Sequence, residues 1–257
     1  MSNATQSPDR SGPRGTGRLR AAVLPPRGKG RRVGLRLAAL AAAGLLLATG
    51  CNDSGGSGDS PVKVREAKSI YKGIAVDPPW TKPELTLTDT SGQPYDFRAK
   101  TAGRTTLLYF GYTHCPDACP TVMGDIVRAL VKLPAQDRAT VDVVFVTTDP
   151  ERDTEAALRE WLDSLDKSFV GLTGSFDTIQ AAARQVGISI EAPVTGPDGK
   201  VVSTHGTQVI AFGPDNEGPV MYSASSGLNP DGTANGNTSE DFAHDLPLLI
   251  HPEDAKK

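Results

Sequence analysis

From residue 84 onward the hydrophobic period of the chain changes element by element. Glu84-Leu85-Thr86-Leu87-Thr88 alternates polar and apolar positions, residues 89–94 carry turn chemistry, and Tyr95-Asp96-Phe97 resumes the alternation, which predicts a β-hairpin. Residues 105–112 form an unbroken β-rich apolar run, read as a buried strand, and residues 121–133 switch to helical apolar spacing. A second strand and helix follow at residues 141–147 and 155–165, the helix with Ala157, Leu158, Trp161 and Leu162 on one face and Asp153 or Thr154 as its cap. Residues 170–173 predict a short strand, and Ser175 caps a helix over residues 176–186. Short strands are expected at residues 188–190, 201–203, 208–212 and 220–223, the last two as a hairpin. Residues 225–237 are a Gly/Asn/Pro loop, and residues 239–246 a closing helix that Pro247 ends. Alternation of strands and helices predicts an α/β domain, with a mainly parallel sheet between helices.

Upstream of residue 84 the pattern is of another kind. Residues 1–26, rich in Ser, Gly, Pro and Arg, show no hydrophobic period and are expected to be a disordered basic extension. In residues 27–50 a basic stretch (Arg27, Lys29, Arg31, Arg32, Arg36) precedes an apolar run over residues 37–47, shorter than the ~20 residues of a spanning helix, which is the outline of a signal peptide. Leu47-Ala48-Thr49-Gly50-Cys51 resembles a bacterial lipobox, with Ala48 where such motifs prefer Leu. Cys51 would then carry the lipid, and the domain would be extracytoplasmic, anchored to the cell membrane. Arg31-Arg32 with Leu35 also permits a twin-arginine export signal. Residues 51–75 are expected to be a flexible Gly/Ser-rich linker, leaving residues 76–257 for the folded domain.

The net charge of -3 hides an asymmetry. Residues 1–50 hold nine basic residues and one acid, so the remaining 18 basic and 29 acidic residues give the rest of the chain a charge near −11. A domain of that sign repels phosphate backbones, which excludes nucleic acid as an expected partner and admits a metal cation or a basic protein. Of the three cysteines, Cys51 stands alone, while Cys115 and Cys119 lie close together. One pair is too few for a disulfide-stapled scaffold and suits redox or metal chemistry.

Pro120 suits a first helical position, which would place Cys119 near the N-cap and Cys115 in the preceding loop, both sulfurs facing the positive end of the helix and favoured as thiolates. Such a pair could close a disulfide or hold one metal ion. Two thiolates are too few for an iron–sulfur cluster and leave zinc short of ligands, whereas copper accepts two sulfurs and an imidazole. Of the four histidines, His114 is a polar residue at a strand end, and His244 and His251 read as surface groups. His205, in Ser203-Thr204-His205-Gly206-Thr207, leads into an apolar strand, and strand ends in α/β sheets are where sites assemble. Asp149 reads equally as a site neighbour or as turn chemistry with Pro150, and Met123 as core. The residues alone leave the redox and metal readings open.

The segment Tyr109-Phe110-Gly111-Tyr112-Thr113-His114-Cys115-Pro116-Asp117-Ala118-Cys119-Pro120-Thr121 resembles the Cys-Pro-Asp-x-Cys-Pro segment of the Sco/SenC family. Thr147-Thr148-Asp149-Pro150-Glu151-Arg152-Asp153-Thr154 is similar to its Asp-Pro-x-Arg-Asp-Thr, and His205 falls where the family keeps a metal-binding histidine; the likeness covers residues 85–249. The resemblance implies a thioredoxin-like α/β fold: a central mixed sheet flanked by helices, with an N-terminal β-hairpin. It also implies one copper ion, Cu(I) or Cu(II), held by Cys115, Cys119 and His205. The implied role is a copper metallochaperone that serves the CuA-bearing subunit in cytochrome c oxidase assembly, together with another extracytoplasmic copper carrier. The alternative is a thiol-disulfide oxidoreductase in which Cys115 and Cys119 keep the CuA-site cysteines, or other extracytoplasmic thiols, reduced. Spacing leans toward the metal, since thioredoxin-type oxidoreductases usually separate their cysteines by two residues and place a proline before the facing strand, and residues 204–207 contain none. A peroxidase would need a Thr-x-x-Cys setting, which Pro116-Asp117-Ala118-Cys119 does not supply. One departure stands out: Thr204 and Gly206 flank His205 where the family usually has Asp and Ser or Thr, which removes a carboxylate that could orient the imidazole.

Overall fold

The computed structural model describes residues 69–197, 199, 201–203, 206–223 and 235–254. The basic extension, the signal peptide, Cys51, most of the linker, His205 and most of the loop before the last helix lie outside the described residues. In chain order the elements are β1 (Ile74–Thr81), β2 (Thr86–Asp89), β3 (Pro94–Asp96), α1 (Phe97–Lys100), β4 (Thr105–Gly111), α2 (Ala118–Lys132), α3 (Ala135–Arg138) and β5 (Val141–Thr147). They continue with α4 (Glu155–Asp163), β6 (Val170–Thr173), α5 (Phe176–Gln185), β7 (Val194–Thr195), β8 (Val201–Val202), β9 (Gln208–Phe212), β10 (Glu217–Ser223) and α6 (Ser239–Ile250).

Eight strands form one sheet in the order β1-β10-β9-β4-β5-β6-β2-β3, and β7 pairs with β8 alone. Among the described residues only β4 with β5 and β5 with β6 run parallel. Every other pairing is antiparallel, so the sheet is mixed where the strand–helix alternation predicts a mainly parallel one. The β2–β3 hairpin forms as expected and joins the sheet through β6. The central strand β4 is buried along its whole length because helices or the hairpin cover both sheet faces. Its side chains divide with the period of two that a pleat imposes. Leu107 and Tyr109 pack with Val122, Met123 and Ile126 of α2, Leu158 and Leu162 of α4 and Phe242 and Leu246 of α6. Leu108 and Phe110 pack on the other face with Leu87, Phe97, Ile179, Ala182 and Ala183. Met123 belongs to the first of these cores.

Three local expectations are corrected, and one strand appears where the apolar pattern predicts none. β1 is a sheet strand although its sequence carries Pro78 and Pro79; it lies at the sheet edge and its register with β10 shifts between Ala75 and Trp80, the places where a strand tolerates prolines. Ile188 and Ile190 are buried, but residues 188–190 form no strand. Helix α5 ends there on Gly187, at φ +69, with the Ile188 N–H donating back to the Ala183 carbonyl at 2.9 Å, so these isoleucines are apolar residues of a helix terminus. Helix α6 runs through Pro247 to Ile250. The one backbone bond the proline forfeits is offset by burial of Leu249, about 1.5–3 kcal/mol for a side chain of this size. Helix α2 begins at Ala118, two residues before Pro120, because a helix leaves its first four N–H groups unpaired and a proline there removes no bond.

The strand directions bring the C-terminal ends of β4 and β5 and the N-terminal end of β9 to one end of the sheet. The chain leaving β4 enters the cysteine segment at that end.

Candidate metal centre

Strand β4 ends at Gly111 and α2 begins at Ala118, and the six residues between them carry Cys115. The segment turns back on itself, with the Cys115 N–H donating to the Tyr112 carbonyl at 3.2 Å. Asp117 holds the N-cap position without a side-chain bond to the helix. A sulfur stands in for the missing cap: the backbone N–H of Cys119 donates to Cys115 Sγ at 3.4 Å. Cys115 therefore faces the amino end of α2, as the proline placement predicts, and is half-buried.

Cys119 does not behave as predicted. It sits inside the first turn of α2 and is fully buried, with its side chain in the apolar core. Burial pushes its thiol up to about 12, and the hydrogen bonds it accepts from Tyr109 and Tyr112 do not reverse this. The expectation that both sulfurs favour the thiolate is thus overturned for Cys119, because desolvation outweighs the helix terminus. The two thiols are not joined as a disulfide, and Cys119 is hydrogen-bonded to Cys115.

The pocket for the Cys119 sulfur depends on what is missing from β4. A Cβ at Gly111 would lie 2.8 Å from Cys119 Sγ, so only glycine lets the sulfur rest against the strand. The hydroxyl of Tyr109, one pleat earlier on the same face, donates to Cys119 Sγ at 3.5 Å.

A buried carboxylate holds the segment in place. Asp153 accepts from the Thr113 N–H at 2.9 Å, from Thr113 Oγ1 at 2.6 Å and from Thr147 Oγ1 at 2.6 Å, tying the cysteine loop to the end of β5. Asp153 and Thr154 read equally well as caps for α4; Thr154 is the cap, donated to by the Ala157 N–H at 3.3 Å. The signal that could have singled out Asp153 is its place in the Asp-Pro-x-Arg-Asp-Thr segment directly after a strand. Asp149, also buried, receives Arg152 Nε at 2.5 Å, and its carbonyl accepts from the N–H groups of Arg152 and Asp153. It builds the turn and fixes Arg152, whose guanidinium lies 5.9 Å from the centre of the Tyr112 ring.

The remaining histidines are engaged with carboxylates or hydroxyls. His114, about half exposed, has Nδ1 at 3.0 Å from Thr113 Oγ1 and 3.5 Å from Asp153. His244 Nδ1 is 2.7 Å from the buried Asp245, and His251 Nε2 is 3.3 Å from Asp137. His205 lies outside the described residues, but Ser203 before it is described. Ser203 Oγ is 2.9 Å from Thr148 Oγ1, and the Thr148 N–H donates to the Gly111 carbonyl at 2.7 Å, which roots that loop at the C-terminal ends of β4 and β5.

Among the described residues no three His, Cys, Asp or Glu side chains converge as a metal site. Two sulfurs at one helix terminus, Cys115 in the loop and Cys119 in the first turn, are the donors present among the described residues, and such a set suits a soft, thiophilic ion with further ligands or a two-electron thiol exchange.

Comparison with known proteins bears on the choice. The family model described as SCO1/SenC matches residues 76–232. Over 133 residues the chain is 35% identical to a Stutzerimonas stutzeri protein named for copper binding, covering 52% of this chain and 64% of that protein. It is 30% identical over 211 residues to the mitochondrial SCO2 homolog of Bos taurus, covering 79% and 73%. Against the mouse SCO2 homolog, 35% identical over 136 residues, it spans only 52% of the relative's length. Among solved structures, apo Sco1 from Thermus thermophilus aligns with TM-score 0.58 at 27% identity over 72% of this chain and 99% of that one. Bradyrhizobium japonicum ScoI with copper bound aligns with TM-score 0.52 at 29% identity over 66% and 99%.

Proposed function

The chain belongs to the SCO1/SenC family, and on that premise we propose that it is a copper-binding protein that delivers the metal during cytochrome c oxidase assembly. Copper is the cargo, held by the sulfurs of Cys115 and Cys119 and the imidazole of His205 and passed by ligand exchange to the CuA-bearing subunit. One observation carries the reading: the two sulfurs meet at the amino end of α2, Cys115 half-buried in the preceding loop and Cys119 lodged against Gly111, at the sheet end where the loop leading to residue 205 is rooted. Soft sulfur ligands with one imidazole match Cu(I). A copper-binding relative and a copper-bound structural neighbour support the assignment. Lipid attachment at Cys51, with an extracytoplasmic address, completes the proposal and would let the linker carry the domain to targets at the membrane.

The same geometry favours one second reading. Cys115 is the more accessible sulfur and Cys119 is within hydrogen-bonding distance behind it. A Cys115 thiolate could attack a target disulfide, releasing one target thiol. Cys119 would then attack the mixed disulfide, releasing the second thiol and leaving the pair oxidised, with two electrons passed to the target.

Titration of the reduced protein with Cu(I) against a competing chelator separates the cases. Parent protein should bind one equivalent, and Cys115→Ser, Cys119→Ser and His205→Ala should each bind weakly. Equal binding by parent and cysteine variants would sink the metal reading. Reduction of an oxidised CuA-type dithiol peptide by the metal-free protein tests the second reading, which no transfer after prolonged incubation would remove. Membrane association that survives Cys51→Ser would refute the lipid anchor.

A further inference from the structure

Each sulfur of the pair has a tyrosine hydroxyl assigned to it. Tyr109 is fully buried and its hydroxyl donates to Cys119 Sγ at 3.5 Å. Tyr112, also buried, is hydrogen-bonded through its side chain to Cys115, and its backbone N–H donates to Cys119. The packing of these rings does not require the hydroxyls: Tyr109 lies against Phe145 at a centroid distance of 5.8 Å in a cluster otherwise made of Leu, Val, Ile, Met and aromatic carbons, where phenylalanine would serve. A hydroxyl in such surroundings is costly to bury without a partner, and for Tyr109 the partner is the sulfur. The neighbouring scaffold holds the donors in place. Gly111 leaves room for Cys119 Sγ beside the Tyr109 ring, and Arg152, clamped by Asp149, lies over the Tyr112 ring.

We propose that Tyr109 and Tyr112 are positioning residues that set the preference of the site for Cu(I) over Cu(II), each by donating a hydrogen bond to one coordinating sulfur. The proposal rests on the copper reading and deepens it. A donor to a thiolate withdraws electron density from the sulfur, and the hydrogen bond is strongest where sulfur carries most charge. Sulfur shares more of its charge with Cu(II) than with Cu(I), so the donors stabilise the Cu(I) complex more. Hydrogen bonding at a ligating cysteine is an established control of copper redox chemistry in other sites.

Tyr109→Phe and Tyr112→Phe keep the rings and delete only the donors. In the full chain solubilised in detergent, each should lower Cu(I) affinity about three- to tenfold, the range expected for one hydrogen bond. Cu(II) affinity should fall less, and the sulfur-to-Cu(II) charge-transfer band should move to lower energy. Equal losses for both oxidation states with an unmoved band would show a merely structural role and overturn the proposal, as would unchanged Cu(I) affinity. A parent protein that binds no Cu(I) would overturn the copper reading and this inference together, whereas a parent that binds and variants that match it would overturn this inference alone.

Discussion

Substituting Gly111 by alanine tests how tightly the fold is built around the Cys119 sulfur. The added Cβ would stand 2.8 Å from Cys119 Sγ, 2.9 Å from Tyr109 Cε1 and 3.0 Å from Phe145 Cε2. Ordinary contact needs roughly 3.5–4.0 Å. All three neighbours are fully buried, so none can swing into solvent. Overpacking of this kind costs about 1–3 kcal/mol, or roughly 2–12 °C in Tm for a domain of this size. Cys119→Ala alone empties the sulfur's place and should cost about 1 kcal/mol or somewhat more. In the double variant the methyl at position 111 occupies space the sulfur has left, so the two losses should not add. A coupling of about 1 kcal/mol or more in favour of the double variant is expected from urea denaturation of the reduced, metal-free protein. Gly111→Ala should also weaken Cu(I) binding by displacing a ligand. Additive losses within about 0.5 kcal/mol would refute the idea that glycine is needed at 111 to seat the sulfur.

Two neighbouring substitutions separate the roles of residues 153 and 154. Asp153→Ala strands the Thr113 N–H and the Thr147 hydroxyl in the interior and should cost about 3 kcal/mol or more, together with Cu(I) affinity, while Thr154→Ala removes only a helix cap, about 1 kcal/mol, and leaves copper binding intact; chemical denaturation and Cu(I) competition read both. Lys82, buried with Nζ donating to the carbonyls of Thr101 and Arg104, is lowered by desolvation to about 8. A depressed folded-state value means that the unfolded chain takes up the proton first as pH falls. The stability of the parent relative to Lys82→Met should therefore decline from pH 10.5 to about 8 and level off below. A flat difference across that window in pH-dependent urea titrations would refute it.

What the sequence made legible was whatever one period or one local rule decides. The hairpin at β2 and β3, the buried runs of β4 and β5 and the amphipathic faces of α4 and α5 follow from apolar spacing, because each buries one stripe or both faces of a strand. Cys115 at the head of α2 was legible from the prolines around it. The position of Cys119 was not, since whether a helix terminus or burial dominates a thiol depends on what lies across from it. That neighbour is β4, and the space comes from Gly111, which in sequence is one position of an unbroken apolar run with nothing to mark it as the sulfur's seat. Asp153 was legible as a candidate helix cap beside Thr154 but not as the anchor of a loop 40 residues earlier. β1 was hidden because Pro78 and Pro79 argue against a strand unless the strand is known to be an edge.

Burial of Cys119 gives pH opposite effects on the metal-free and metal-bound states. With its thiol raised from the ordinary value of 9.0 to about 12, Cys119 keeps its proton in the folded protein where an unfolded cysteine would lose it. Its contribution to metal-free stability is therefore complete below pH 9.0 and is lost as pH rises toward about 12. Copper binding needs the thiolate, so the ion must displace that proton, and uptake gains what folding loses. Each unit of pH should tighten Cu(I) binding about tenfold on account of Cys119, over roughly pH 6 to 9. The measurement is Cu(I) competition at several pH values beside urea denaturation of the metal-free protein. Replacing Cys119 by serine should remove one proton from the binding slope. A Cu(I) affinity independent of pH in the parent protein would show that Cys119 does not surrender its proton to the metal, and the copper site would then have to be built without it.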